Sequence, residues 1–129
     1  MLVACTGMYR AGSTLQYNLA RVLVEATGRG NAEGFFDRKQ FRRLRGRFDE
    51  WGADDDFHVI KSHHLPPDAV ERIAAGQLRV CYIYRDLRDV AASLKRKFRA
   101  DGDRLLYLAG DALETYRQVE ALPGVFASF

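Results

Sequence analysis

Apolar positions change period several times along the chain, and each change marks an element. Residues 2–5 form a short continuous apolar run, which suits a strand buried on both faces. From Ser13 onward Leu15, Leu19, Val22, Leu23 and Ala26 recur at helical spacing, and Gly28 supplies a stop. Residues 30–34 read as a turn region, and the acidic stretch 50–56 as a loop. Residues 57–62 read as a second strand, broken by His64, Leu65, Pro66 and Pro67. Asp68 then caps a short helix that ends at Gly76. Residues 79–84 are a third strand, and a helix follows with Val90, Leu94 and Phe98 on one face. A turn at 101–103 leads to a last amphipathic helix carrying Leu105, Leu108, Ala109, Ala112, Leu113, Tyr116 and Val119, closed by Pro123 and Gly124.

Strands alternating with helices predict an α/β domain with a small parallel sheet and helices on both sides, a three-layer α/β/α arrangement. Such sheets bind ligands at the carboxyl ends of their strands. The three strands end in polar chemistry, at residues 7–14, at 61–64 and at Arg85-Asp86, so they predict one shared site.

Composition narrows the reading. With 129 residues, 47% of them hydrophobic and 12% aromatic, the chain is expected to be one globular domain over 1–129 with its own core. A net charge of +3 fits a small anionic ligand and falls short of the footprint of a nucleic-acid binder. No apolar stretch is long enough for a membrane span, and the N-terminal run lacks the basic flank of a secretory leader, which predicts a cytoplasmic protein. Cys5 and Cys81 sit inside apolar runs without metal-ligand spacing and read as free thiols in a reducing compartment. Residues 38–47 hold six basic side chains, either a solvated helix face or a rim that attracts an anionic cofactor or substrate.

The chemistry concentrates in Gly-Met-Tyr-Arg-Ala-Gly-Ser-Thr at residues 7–14. Gly7, Gly12 and Thr14 fit the phosphate-binding pattern G-x-x-x-x-G-K-[ST], but Ser13 stands where that pattern has lysine. A strand–loop–helix corner offers free backbone N–H groups and a helix N-terminus to an anion. Ser13 and Thr14 add hydroxyls, and Arg10 can make a forked, charge-assisted contact with a phosphate oxygen in place of the missing lysine.

The segment Arg10-Ala11-Gly12-Ser13-Thr14, followed by a leucine-rich helix, resembles the 5′-phosphosulfate loop of the sulfotransferases, a P-loop-type family that uses 3′-phosphoadenosine 5′-phosphosulfate (PAPS) as sulfuryl donor. Two further segments extend the likeness. Residues 82–98 are similar to the family's 3′-phosphate motif, with Arg85 and Ser93 in register, and residues 59–66 are similar to its Lys-Thr-His-Leu-Pro segment. In that segment Lys61 and His63 match, with His64 inserted before Leu65 and Pro66. Residues 2–98 carry the likeness; an aromatic that often follows the loop is replaced by Leu15-Gln16, and the usual C-terminal part of the family domain has no counterpart.

The resemblance implies a sulfotransferase that takes PAPS as co-substrate, without a metal, and passes its sulfuryl group to a hydroxyl or amine on a small-molecule or glycan acceptor. It implies donor contacts from Arg10, Ala11, Gly12, Ser13, Thr14, Arg85 and Ser93, and catalytic roles for Arg10, Lys61 and His63. Either imidazole, His63 or His64, can be the base, and register favours His63. Two other readings stand beside it: a small nucleotide kinase of the P-loop type, and a shortened non-catalytic domain that binds a nucleotide or associates, with itself or other proteins, through the face its missing part would cover. No nucleic-acid or membrane partner is expected.

Overall fold

The computed structural model of the chain describes residues 1–122 and 126–128. In order, it contains β1 (Leu2–Gly7), α1 (Ser13–Thr27), β2 (Gly30–Phe35), α2 (Arg38–Arg43), α3 (Arg45–Ala53) and β3 (Phe57–Lys61). There follow α4 (Ala69–Ala74), β4 (Leu78–Ile83), α5 (Leu87–Phe98), α6 (Gly102–Glu120) and β5 (Phe126–Ser128). The strands form one sheet in the order β2-β3-β1-β4-β5, and every neighbouring pair is parallel. The architecture is therefore α/β, a parallel sheet flanked by helices in three layers. Among the described residues no helix is long and apolar enough to cross a membrane.

Alternation along the strands decides which side chains meet which layer. Leu2 and Ala4 of β1, Ile60 of β3 and Leu78, Val80 and Tyr82 of β4 join one buried cluster with Phe36, Phe41, Phe48, Trp51, Ala112 and Val119. That cluster lies under α2, α3, α4 and α6. Phe48 and Trp51 meet edge to face, with ring centroids 5.3 Å apart. The other face of the sheet is covered by α1, which packs on β1, β2 and β3. Cys5 and Cys81 are direct register partners across β1 and β4. Both are unbridged, Cys5 buried and Cys81 half-buried.

The leucine stripe of α1 lies where periodicity alone does not put it. Ser13 is buried, and Gln16, Tyr17, Ala20 and Val24 are half-buried. The Tyr17 hydroxyl accepts the Gly34 N–H at 3.1 Å, which fixes the side of the helix facing β2. Leu15, Leu19, Val22 and Leu23 are instead 65%, 58%, 56% and 68% exposed. Both sets of residues have helical spacing, so the pattern predicts the helix without saying which stripe meets the sheet.

Three boundaries also differ from the sequence expectation. Residues 30–34 are not a turn but most of edge strand β2, whose register against β3 shifts between Ala32 and Gly34. Two glycines in six residues disguise it. Most of the acidic stretch 50–56 is not loop, because α3 continues through Ala53. At 101–103 the turn is a helix start, since the Asp101 carboxylate accepts the Arg104 N–H at 2.9 Å and caps α6. Asp68 does hold the N-cap position of α4, but its carboxylate binds Arg72 at 2.9 Å in place of a backbone N–H. Pro123 and Gly124 lie outside the described residues.

Candidate functional site

The site forms where β1 and β3 end and α1 begins. Close pairing of β1 with β4 requires glycine at position 7, because a Cβ there would lie 2.3 Å from the Ile83 carbonyl oxygen. The chain then turns through residues 8–12. Gly12, at φ 107, is the N-cap of α1 and brings no side-chain cap. The first helical bond runs from Gln16 N–H to the Gly12 carbonyl. The N–H groups of Ser13, Thr14 and Leu15 consequently have no partner among the described residues and carry the positive end of the helix dipole.

Arg10 occupies the left-handed region at φ 65, an uncommon conformation for a residue with a Cβ. Its Nε–H donates to Ser93 Oγ at 3.0 Å, which ties the loop to the second turn of α5. Lys61, the last residue of β3, donates its ammonium to Thr14 Oγ1 at 2.8 Å and lies 5.7 Å from the Phe35 ring centroid. Burial holds the Lys61 ammonium below the usual lysine range.

His63 places its Nδ1 3.0 Å from the Gly7 carbonyl oxygen. A carbonyl only accepts, so Nδ1 carries the proton and the Nε2 lone pair is unprotonated in the neutral ring. The ring packs on Tyr9, with centroids 4.4 Å apart, and on Phe35 at 6.0 Å. Burial moves the His63 pKa below the ordinary histidine value; the Gly7 bond and Asp111 oppose that shift, and Lys61 adds to it. A cavity of about 290 Å³ is lined by Tyr9, Arg10, Thr14, Lys61, His63 and Phe98, together with Gly12 and Ser13. It therefore joins a helix N-terminus, two cations and a neutral imidazole.

The other sequence-derived residues fall in different places. Ala11 is half-buried and packs against the core beneath the loop. Arg85 is bound at 3.1 Å by Asp89, one helical turn along α5, and does not line the cavity. Asp86 accepts the Arg88 N–H at 2.8 Å and the Arg88 guanidinium at 2.7 Å, so its carboxylate serves as a helix cap. The imidazole of His64 lines a separate cavity toward α2 and α6. His58 is held between Glu33 at 2.9 Å and Asp54 at 2.8 Å and stacks on Trp51, a structural position.

Three contributors have no sequence signal strong enough to find them. Tyr9 is an unspecified position of the loop pattern, yet it forms a wall of the cavity. Phe98 reads as the third member of an apolar helix face, but it is 47% exposed and turned to the same cavity. Asp111 of α6 does not line the cavity but acts on His63 through its charge, and its carboxylate pairs with Arg38 at 2.9 Å. No protein-family model, characterised protein or solved structure matches the chain.

Proposed function

We propose that the chain is a sulfotransferase domain whose loop at residues 7–14 binds the 5′-phosphosulfate end of PAPS. The observation that carries the reading is the convergence of Arg10, Lys61, the unpartnered N–H groups of Ser13 and Thr14, and the His63 imidazole, whose Nδ1 is spent on Gly7, around one cavity. Anion recognition needs the first three, and transfer to a protonated nucleophile needs the last.

In the proposed reaction the acceptor hydroxyl or amine loses its proton to His63 Nε2 as its oxygen or nitrogen bonds to sulfur. The bond between sulfur and the bridging phosphate oxygen breaks, and 3′-phosphoadenosine 5′-phosphate leaves with the electron pair. Charge developing on the bridging oxygen is met by Arg10, Lys61 and the helix N–H groups, all in place before reaction. Burial of the imidazole keeps it neutral at pH 7, the state in which it accepts a proton. Ser93 does not line the cavity and holds Arg10 through its hydroxyl; in this reading it also contacts the nucleotide.

The kinase reading draws less support. Ser13 replaces the lysine of that pattern, and Asp86, the acidic residue at the end of β4, is engaged by Arg88. A cytosolic setting is part of the proposal, consistent with the unbridged pair Cys5 and Cys81. The deciding experiment is transfer of radiolabelled sulfate from PAPS to a panel of phenols, amines and sugars. Label transferred by the parent chain and lost in His63→Ala supports the reading. Failure to bind either PAPS or 3′-phosphoadenosine 5′-phosphate removes it.

A further inference from the structure

His63 and His64 are consecutive, yet they line different cavities. That of His64 has a volume of about 330 Å³, and Arg38, Arg42, Thr115 and Gln118 line it too. Its basic wall is fixed by local structure. A reciprocal capping box, with Asp37 accepting the Gln40 N–H at 2.8 Å and Gln40 accepting the Asp37 N–H at 2.9 Å, sets the start of α2. Arg38 and Arg42, four residues apart, then share one face of that helix.

The positive charge here exceeds what the chain itself neutralises. Among the described residues the six cations of residues 38–47 make two ion pairs, Arg38 with Asp111 at 2.9 Å and Arg45 with Asp68 at 3.7 Å. Arg42 has neither an ion pair nor a hydrogen bond among them. The His64 Nδ1 atom is buried without a hydrogen-bond partner, since the nearest carboxylate oxygen, on Asp111, is 3.9 Å away. A buried polar atom without a partner is costly and commonly marks a place completed by something else.

We propose that this cavity is an oxyanion-binding site, separate from the cavity at the Arg10 loop, that takes a small molecule carrying a sulfate ester, a phosphate ester or a carboxylate. Arg42 supplies a free guanidinium and Arg38 a second one anchored by Asp111; Gln118 has one amide N–H left beside its bond to Glu114 at 3.0 Å, while the Thr115 hydroxyl is spent on the Asp111 carbonyl at 2.9 Å. The site stands whether or not the loop at Arg10 binds a nucleotide. Around His64 the charged and titratable groups are Arg38 and Asp37 of the α2 segment, Asp111 of α6 and the neighbouring His63, with Arg42 of α2 lining the same cavity. An added anion shifts that balance toward the imidazolium.

The three histidines sit in three different environments, so their imidazole carbon–proton resonances report on them separately. The probes are glucose 6-sulfate, glucose 6-phosphate and glucuronate, with glucose as uncharged control. The expected result is a saturable shift of the His64 resonance with at least one charged probe, a raised His64 titration midpoint, and no shift with glucose. His58 stays unmoved, and Arg42→Gln, a change at an exposed side chain, weakens binding about tenfold, one charge-assisted bond's worth. The strongest of the three charged probes identifies the group. No saturable His64 shift with any of them, an equal shift with glucose, or unchanged affinity in Arg42→Gln overturns the proposal. 3′-Phosphoadenosine 5′-phosphate reads out at His63 instead, so failure at one cavity is distinguishable from failure at the other.

Discussion

The Arg10 guanidinium donates to Ser93 Oγ across 83 positions of sequence, at 3.0 Å, and so joins the loop after β1 to the second turn of α5. Two segments that resemble separate nucleotide-binding motifs are thereby held together. Arg10→Ala removes the cation and the tie together. A charge-assisted bond to an ionised group is worth about 1.5–3 kcal/mol. Affinity for 3′-phosphoadenosine 5′-phosphate is expected to fall by about one to two powers of ten. Titration calorimetry on parent and variant checks this, and unchanged affinity would make Arg10 a surface residue.

Arg85 is held by Asp89 in the structure, so under the proposed function a nucleotide 3′-phosphate would have to compete for it. Asp89→Asn releases the guanidinium. The pair is exposed and weak, so the expected gain in affinity for a 3′-phosphorylated nucleotide is a few-fold. The matching 3′-hydroxyl nucleotide should show no gain, and Arg85→Ala should reverse the preference. An equal response of both nucleotides would place Arg85 in the fold rather than at the 3′-phosphate.

His63 carries the catalytic expectation. In an active chain His63→Ala should lower turnover by about 10²–10⁴-fold, the range of a positioned general base. His64→Ala should do much less, because His64 lines another cavity. Burial lowers the His63 pKa, so the acid limb of the pH–rate profile should lie below the ordinary value of 6.5. Stability follows the same sign. On acidification the unfolded imidazole takes its proton first, near 6.5, so the stability His63 contributes is complete above that pH. It declines as pH falls from there toward the folded-state value. An acid limb above 6.5 would contradict the burial that the structure gives this ring.

Much of this site is legible in residue types, and much of the rest is not, for physical reasons. Strand ends rich in Gly, Ser, Lys and His announce a ligand edge, and the loop spacing locates it. Which of two adjacent imidazoles faces the loop is set by one backbone step after β3. Tyr9, Phe98 and Asp111 enter through tertiary contacts that leave no local pattern. Strand β2 is hidden by the glycines that let it sit at the sheet edge, and Arg85 is captured by an acid one turn away, a pairing that a strand-end position does not predict.

The outward leucines of α1 give a test of the fold itself. Leu19→Gln and Leu23→Gln should each change stability by no more than about 0.5 kcal/mol, as expected of exposed sites. Leu94→Ala, at a buried position of α5, should cost about 2–5 kcal/mol. Chemical denaturation of the three variants makes the comparison. A loss at Leu19 or Leu23 as large as at Leu94 would mean that this stripe is packed in solution.

Under the proposed function, the loop at residues 7–14 recognises a 3′-phosphorylated adenine nucleotide through Arg10, without a lysine at the loop. Calorimetric titration of the parent chain with 3′-phosphoadenosine 5′-phosphate in the absence of metal, run beside ATP with Mg²⁺, tests it most directly. The expected result is saturable one-to-one binding of the 3′-phosphorylated nucleotide, tighter than that of Mg-ATP and weakened by Arg10→Ala. Tighter binding of Mg-ATP, or no binding of the 3′-phosphorylated nucleotide, would contradict it.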